Sequence, residues 1–348
     1  MHVVVVGATG NLGTSVLAAL AEDPAVDSIL GVARRRPTLE SPKTEWAQAD
    51  IAADDLVPLF EGADAIVHLA WLIQPSHDLA RVWRTNVEGS ARVFRATADA
   101  GVSALVYASS VGAYSPGPKD RAVDESWPTH GVPTSFYARH KAEVERRLDQ
   151  YEHLHPETRV VRLRPGLIFK RGAASGIRRL FAGPFLINPL LRPSLVRVVP
   201  DIPGLRFQAV HSHDVGEAFR LAVTRDVHGA FNVAANPVLD PEELGRILGA
   251  RAVRVPARAA RVFTALTWRL HLQPTPPGWL DLALGVPIMD TSRAENELGW
   301  VPRHSSGEAL LDLLDGLREG AGLETPPLTT DTSRVEEVLT GVGQTENL

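Results

Sequence analysis

The sequence predicts an α/β fold: a doubly wound parallel sheet with a smaller, mostly helical C-terminal lobe. Two patterns carry that expectation. Short β-branched runs without two-residue alternation recur through the first half and alternate with stretches of helical periodicity, as strands buried on both faces require. The first run, Val3 to Val6, passes directly into Gly7-Ala-Thr-Gly10-Asn-Leu-Gly13 and then into an amphipathic segment carrying Val16, Leu17, Leu20 and Ala21.

Later elements continue the alternation. Strands are expected at Ile29 to Ala33, just ahead of Asp50, and at Ala65 to Leu69, Leu105 to Ala108 and Val160 to Leu163. Helices fit between them, Val82 to Ala100 and Tyr137 to Leu148 included. Beyond Pro165 prolines multiply, and two more strands, Phe207 to His211 and Ala230 to Val233, are expected to rejoin the sheet. Helices near Pro241 to Leu248, Ala257 to Leu270 and Ser306 to Leu317 build the lobe.

Composition narrows the function classes. Apolar residues make up 44% and charged residues 22% of the 348, so a buried core is expected rather than disorder. A net charge of −5 offers no global basic field to draw in nucleic acid or anionic lipid. The absence of cysteine removes disulfides, thiolate nucleophiles and cysteine metal sites. The beginning lacks a basic n-region, and the longest apolar region, Leu180 to Val199, is broken by Gly183, Pro184, Pro189, Arg192, Pro193 and Arg197. A cytoplasmic protein with no membrane partner is the resulting expectation.

Chemistry enters at the glycine loop. Gly7 permits a tight turn, Gly10 lets a phosphate approach the backbone, and Gly13 lets helix pack on strand, with free amides and a positive dipole facing the anion. Thr9, Asn11 and Leu12 complete a dinucleotide loop. An NAD site places an acid at the end of the second strand, but Gly31-Val-Ala33-Arg34-Arg35-Arg36 has none. Arg34, with Arg35 second, suits a 2′-phosphate, so NADP is favoured and NAD stays open; the alternative leaves these arginines as solvated loop charges. The dinucleotide-binding domain is then residues 1–164, completed by 206–235. Residues 165–205 and 236–318 form the substrate lobe, and the polar 319–348 a flexible tail.

Tyr137-Ala-Arg-His-Lys141 sets a phenol and an ammonium one helical turn apart. With four tyrosines and four lysines in the chain, that spacing arises by chance about one time in twenty. A phenol with a pKa near 10 is a slow proton carrier at neutrality, and a neighbouring ammonium favours its phenolate.

Taken with the loop, these residues resemble the extended short-chain dehydrogenases/reductases, the NAD(P)-dependent epimerase/dehydratase family, and the likeness runs through residues 1–318. The resemblance implies that Ser110, four residues before Tyr114, is the catalytic serine in preference to Ser109, with a plain strand-end cap as the alternative. Asp50-Ile51 resembles the family's adenine-side aspartate, a loop cap being the alternative; His68-Leu69-Ala70, Asn86 and Arg164-Pro165-Gly166 resemble motifs along the cofactor channel. Val210-His211-Ser-His213-Asp214-Val215 is similar to the family's sheet-to-helix joint, and no metal is expected there. Leu298-Gly-Trp300-Val-Pro302 resembles its closing structural motif.

What the likeness implies for activity is hydride transfer to or from a carbonyl or secondary alcohol of a small molecule. Tyr137 would exchange the proton, Ser110 hydrogen-bond the same oxygen, and Lys141 tune Tyr137 and hold the cofactor ribose. Candidate substrate residues are Trp71, Ser110, Tyr114, Phe181 and Phe185, with Leu72, Ile73 and Leu186 beside them; ordinary lobe core is the alternative. A reductase or dehydrogenase leads. A nucleotide-sugar epimerase or dehydratase, with Arg178, Arg179 and Arg206 on the diphosphate, is the alternative, and a non-catalytic cofactor sensor the third reading. The resemblance also implies a homodimer through the Val82 to Ala100 and Tyr137 to Leu148 helices.

Overall fold

Val3, Val4, Val5 and Val6 are each at most 1% exposed, which a strand tolerates only when both faces of its sheet are covered. The computed structural model describes residues 1–185, 196–330, 334–339 and 342; Leu186 lies outside them. Its strands are β1 (His2–Val6), β2 (Ser28–Ala33), β3 (Thr44–Gln48), β4 (Ala65–His68), β5 (Ala104–Ala108), β6 (Ala122–Val123) and β7 (Arg159–Pro165). They continue with β8 (Leu167–Phe169), β9 (Val198–Asp201), β10 (Ala209–His211), β11 (Gly229–Val233), β12 (Arg251–Arg254) and β13 (Ile288–Met289). Seven of them form a parallel sheet in the order β11-β7-β5-β4-β1-β2-β3. Val3 lies opposite both Ile29 and Ala65, so connections leaving β1 and β4 diverge and open a crevice at their carboxyl ends.

Helices α1 (Asn11–Glu22), α2 (Val57–Phe60), α3 (Leu79–Trp83), α4 (Ser90–Asp99), α5 (Phe136–Leu154), α6 (Ala174–Ile177) and α7 (Ser212–Thr224) accompany this sheet. One core joins Val3 and Val5 to Leu17, Leu20, Val215 and Phe219 of α1 and α7. The other joins Val4 and Val6 to Phe94, Val144 and Leu148 of α4 and α5. Alternate β1 residues thus feed opposite layers, as strand periodicity demands.

The lobe carries α8 (Pro241–Leu248), α9 (Ala257–Arg269), α10 (Gly278–Gly285), α11 (Ser292–Asn296) and α12 (Ser306–Glu319), and α13 (Arg334–Leu339) follows. Local signals set its ends: Asp240 caps α8 through Glu243 N at 3.0 Å, Ser305 and Glu308 form a capping box on α12, and Gly249 and Gly320 close both in the left-handed conformation.

Three expectations change. The helix foreseen from Val82 to Ala100 is interrupted by a wide turn, Arg84–Gly89, between α3 and α4. The strand foreseen from Phe207 to His211 shortens to β10 and pairs with β8, outside the main sheet, because the chain leaves that sheet at Pro165-Gly166; β11 does rejoin it, beside β7. The stretch 321–330, expected to be mobile, is anchored: Thr325 and Leu328 are 1% and 4% exposed, and Arg179 donates to the carbonyls of Pro327 and Thr329 at 2.9 and 2.8 Å. Among the described residues no helix is long and apolar enough to cross a membrane.

Candidate active site

A cleft opens at the carboxyl ends of β1, β2 and β4, lined by Gly7, Thr9, Gly10, Arg34, Ile51, Leu69, Ala70, Trp71 and Thr85. The glycines are demanded by contact: a Cβ on Gly7, whose φ is +90°, would lie 2.5 Å from Ala70 N, and one on Gly13 would lie 2.5 Å from the carbonyl oxygens of Gly7 and Ala8. No side chain caps the start of α1, and Asn11 Oδ1 is buried without a partner, so free amides and a spare acceptor face this end. These features fit a dinucleotide. Among the described residues no carboxylate lines the cleft.

Several expected cofactor residues act one step back. Leu12 and Gly13 form the first turn of α1 behind the lining residues, and Asn11 Nδ2 donates to Ile168 O at 3.1 Å. Asp50 caps its own loop, accepting from Ala52 N at 2.9 Å, and leaves the cleft to Ile51. Asn86 is fully buried and clips the backbone of Leu72 by two hydrogen bonds of 2.7 Å, which shapes the wall rather than touching its contents. Arg34 lines the cleft; Arg35 lies outside the lining and near Arg179. Pro165 is buried within β7, and Gly166 faces a different cavity. Pro327, from the anchored tail, reaches the cleft; its polar neighbourhood hid it in the sequence.

Ser110, Tyr137 and Lys141 do converge. Ser110 Oγ accepts from Gly112 N at 3.0 Å and hydrogen-bonds Tyr137, whereas Ser109 Oγ is committed to Glu145 Oε1 at 2.5 Å. Lys141 Nζ donates to Ala108 O at 2.7 Å and lies 3.5 Å over the Trp71 ring and 5.9 Å from that of Tyr137. Burial pushes the Tyr137 phenol up to about 12, the Ser110 hydrogen bond opposing it. It also pushes the Lys141 ammonium well down, with Glu145 opposing. Desolvation therefore dominates at Tyr137 in this arrangement.

Glu145, one turn beyond Lys141 on α5, is a positioning residue that sequence reasoning missed. It accepts from Arg164 Nε and Nη2 at 2.9 and 2.8 Å, from Arg162 at 3.2 Å and from Ser109, which ties α5 to β5 and β7. Two arginines alternating on one strand face opposite an acid at helical spacing from Lys141 were the available signal.

Beyond Tyr137 lies an apolar cavity walled by Val111, Gly166, Leu167, Phe181, Phe207, Trp279, Leu282 and Met289, with Gln208 as its polar side chain. Trp279, foreseen by no motif, stands 4.7 Å from the Tyr137 ring and 5.0 Å from Phe181, while Trp71 meets Tyr137 edge-on at 5.8 Å. Two expected substrate residues are elsewhere. Tyr114 is fully buried and belongs to the scaffold, its hydroxyl donating to Asn232 Oδ1 at 2.7 Å and accepting from Arg164 at 3.0 Å. Phe185 is 56% exposed, past the turn at Gly183, and does not line the cavity. The three arginines proposed for a diphosphate are occupied: Arg178 by Glu337, Arg179 by tail carbonyls, and Arg206 by Asp240 and Lys119 O. Among the described residues no group of three His, Cys, Asp or Glu is arranged to hold a metal.

Comparison with known proteins agrees with this fold. The family model described as NAD dependent epimerase/dehydratase family matches residues 3–234. An uncharacterized protein of Mycobacterium tuberculosis is 26% identical over 326 residues, 93% of this chain; the chain spans only 31% of that relative's length. A NAD-dependent glucose-6-phosphate dehydrogenase of Haloferax volcanii is 33% identical over 136 residues, 35% of this chain and 51% of the relative. Among solved structures, MoeE5 with UDP-glucuronic acid and NAD has a TM-score of 0.69 at 20% identity, covering 92% of this chain and 99% of its own. UDP-glucose 4-epimerase of Thermotoga maritima with UDP-glucose has a TM-score of 0.67 at 18% identity, with the same coverage. At these identities the solved structures establish a shared fold.

Proposed function

The chain belongs to the NAD dependent epimerase/dehydratase family, and on that premise we propose that it is an enzyme acting at a carbinol or carbonyl carbon beside Tyr137. The observation that carries this reading is convergence: Ser110, Tyr137 and Lys141 stand where the dinucleotide cleft, through Trp71, meets the cavity walled by Trp279. A nicotinamide dinucleotide held by Gly7, Thr9, Gly10 and the first turn of α1 supplies the hydride acceptor or donor. Tyr137 Oη gives or takes the proton of the substrate oxygen, Ser110 Oγ orients that oxygen, and Lys141 would hold the ribose of the dinucleotide. Arg34 in the cleft, with no carboxylate among the described lining residues, supports NADP over NAD.

Two outcomes share this machinery. The family and its nucleotide-sugar-binding solved relatives support a hydride that is taken and returned, hence epimerisation or dehydration of a nucleotide sugar, and this reading stands first. Net oxidation or reduction of a small apolar compound is the second, favoured by a cavity that presents hydrocarbon and aromatic walls and, among the described residues, no cation. Turnover of nucleotide sugars without net change in NAD(P)H absorbance supports the first; stoichiometric absorbance change with an apolar ketone or alcohol supports the second. In either case Tyr137→Phe should keep dinucleotide binding and lose about 100-fold or more in kcat. A variant that binds the dinucleotide and turns over normally refutes the assignment.

A further inference from the structure

Among the described residues, the densest group of exposed large apolar side chains lies on and just after one helix. Val262, Phe263, Leu266, Leu270 and Leu272, in α9 and the residues just after it, are 58%, 68%, 53%, 66% and 47% exposed. α4 exposes no large apolar side chain and α5 only Leu154, so nothing apolar marks that pair as a dimer face. At about 100° per residue, Val262, Phe263, Leu266 and Leu270 share one face of α9, and Arg258 and Arg269 follow its edge. The opposite face is pinned: Trp268 Nε1 donates to Ser76 Oγ at 3.0 Å, and its ring stacks on His77 at 4.3 Å. The stripe therefore points outward by construction.

Charge identifies what covers it. From Leu244 to Leu280 the chain holds six arginines and no acid or lysine, a local excess that the overall −5 conceals. All six are exposed; Arg246 and Arg261 pair with Glu243 and Asp281, while Arg251, Arg254, Arg258 and Arg269 have no acidic partner among the described residues. We propose that α9 docks in the plane of an anionic membrane surface, its apolar stripe in the acyl boundary and its arginines at the phosphate level. A second copy is the poorer occupant, because a two-fold contact through this stripe would set the same arginines against one another. This replaces the expectation of no membrane contact, which rested on overall charge and on the lack of a bilayer-spanning stretch; an interfacial helix needs neither.

Flotation of the full-length protein with vesicles tests this. The protein should float with phosphatidylcholine vesicles containing roughly a third phosphatidylglycerol, and not with phosphatidylcholine alone, and high salt should release it. Phe263→Glu with Leu266→Glu should abolish flotation, and Arg258→Glu with Arg269→Glu should weaken it roughly fivefold per charge, both at unchanged Tm and dinucleotide affinity. No flotation, flotation indifferent to lipid charge, or flotation unchanged in both variants overturns the proposal. So does a dimer in light scattering that Phe263→Glu alone makes monomeric, which would give the face to a second copy.

Discussion

Burial favours the protonated Tyr137 phenol, pushing it up to about 12, with the Ser110 hydrogen bond opposing. In that state it is a proton donor, suited to the step that protonates a substrate oxygen. Accepting a proton requires added positive charge, which Lys141 supplies poorly while its ammonium lies 3.5 Å over Trp71 and is itself disfavoured by burial. At the other end of the cleft, the proposed preference for NADP rests on Arg34. Replacing it by serine should raise KM for NADPH about tenfold and leave KM for NADH within about twofold, the value of one charge-assisted contact to a phosphate. Initial rates with both dinucleotides check this, and equal effects on the two would remove Arg34 from the 2′-phosphate.

At the scale of elements, α5 brings Tyr137 and Lys141 to the sheet and Glu145 fastens it there. Burial raises the Glu145 carboxyl, but its bonds to Arg164, the pull of Arg162 and the Ser109 hydrogen bond outweigh that and hold it at about 2, against 4.5 for a free glutamate. A depressed carboxylate stabilises the fold above its free value and loses that contribution as pH falls toward its folded one. Glu145→Gln should therefore cost about 3 kcal/mol at neutral pH, since it strips buried Arg164 of its carboxylate while Arg162 keeps Asp149 and Glu152, and should flatten the acid loss of stability between 4.5 and about 2. Urea unfolding across that range measures both. An unchanged acid limb would show that Glu145 does not hold α5.

For the molecule as a whole, the stretch 321–330 closes on the cleft at the first strand. Pro327 lines the cleft that begins at Gly7, and Thr38, after β2, donates to Glu324 O at 3.4 Å, so residues near the two ends of the chain share one site. Ending the chain at Gly320 should weaken dinucleotide binding about tenfold and lower Tm, as Arg179 loses its carbonyl partners. Pro327→Gly isolates the cleft contact and should weaken binding about threefold at nearly constant Tm. Fluorescence titration with NADPH separates the two, and tight binding by both variants would reduce the tail to a structural brace.

By itself the sequence determined whatever depends on near neighbours. Valine runs too apolar for a wetted face implied the buried parallel sheet, Gly7 to Gly13 implied a strand-turn-helix for phosphate, and Tyr137 and Lys141 declared themselves by helical spacing. Tertiary structure decided what depends on distant partners. It committed Ser109 to Glu145 and left Ser110 to Tyr137, buried Tyr114 against Asn232, brought Trp279 to the substrate side, and carried Pro327 across the cleft. It also made desolvation the largest influence on the Tyr137 phenol, because desolvation is set by everything packed around a group and not by the residue one turn away.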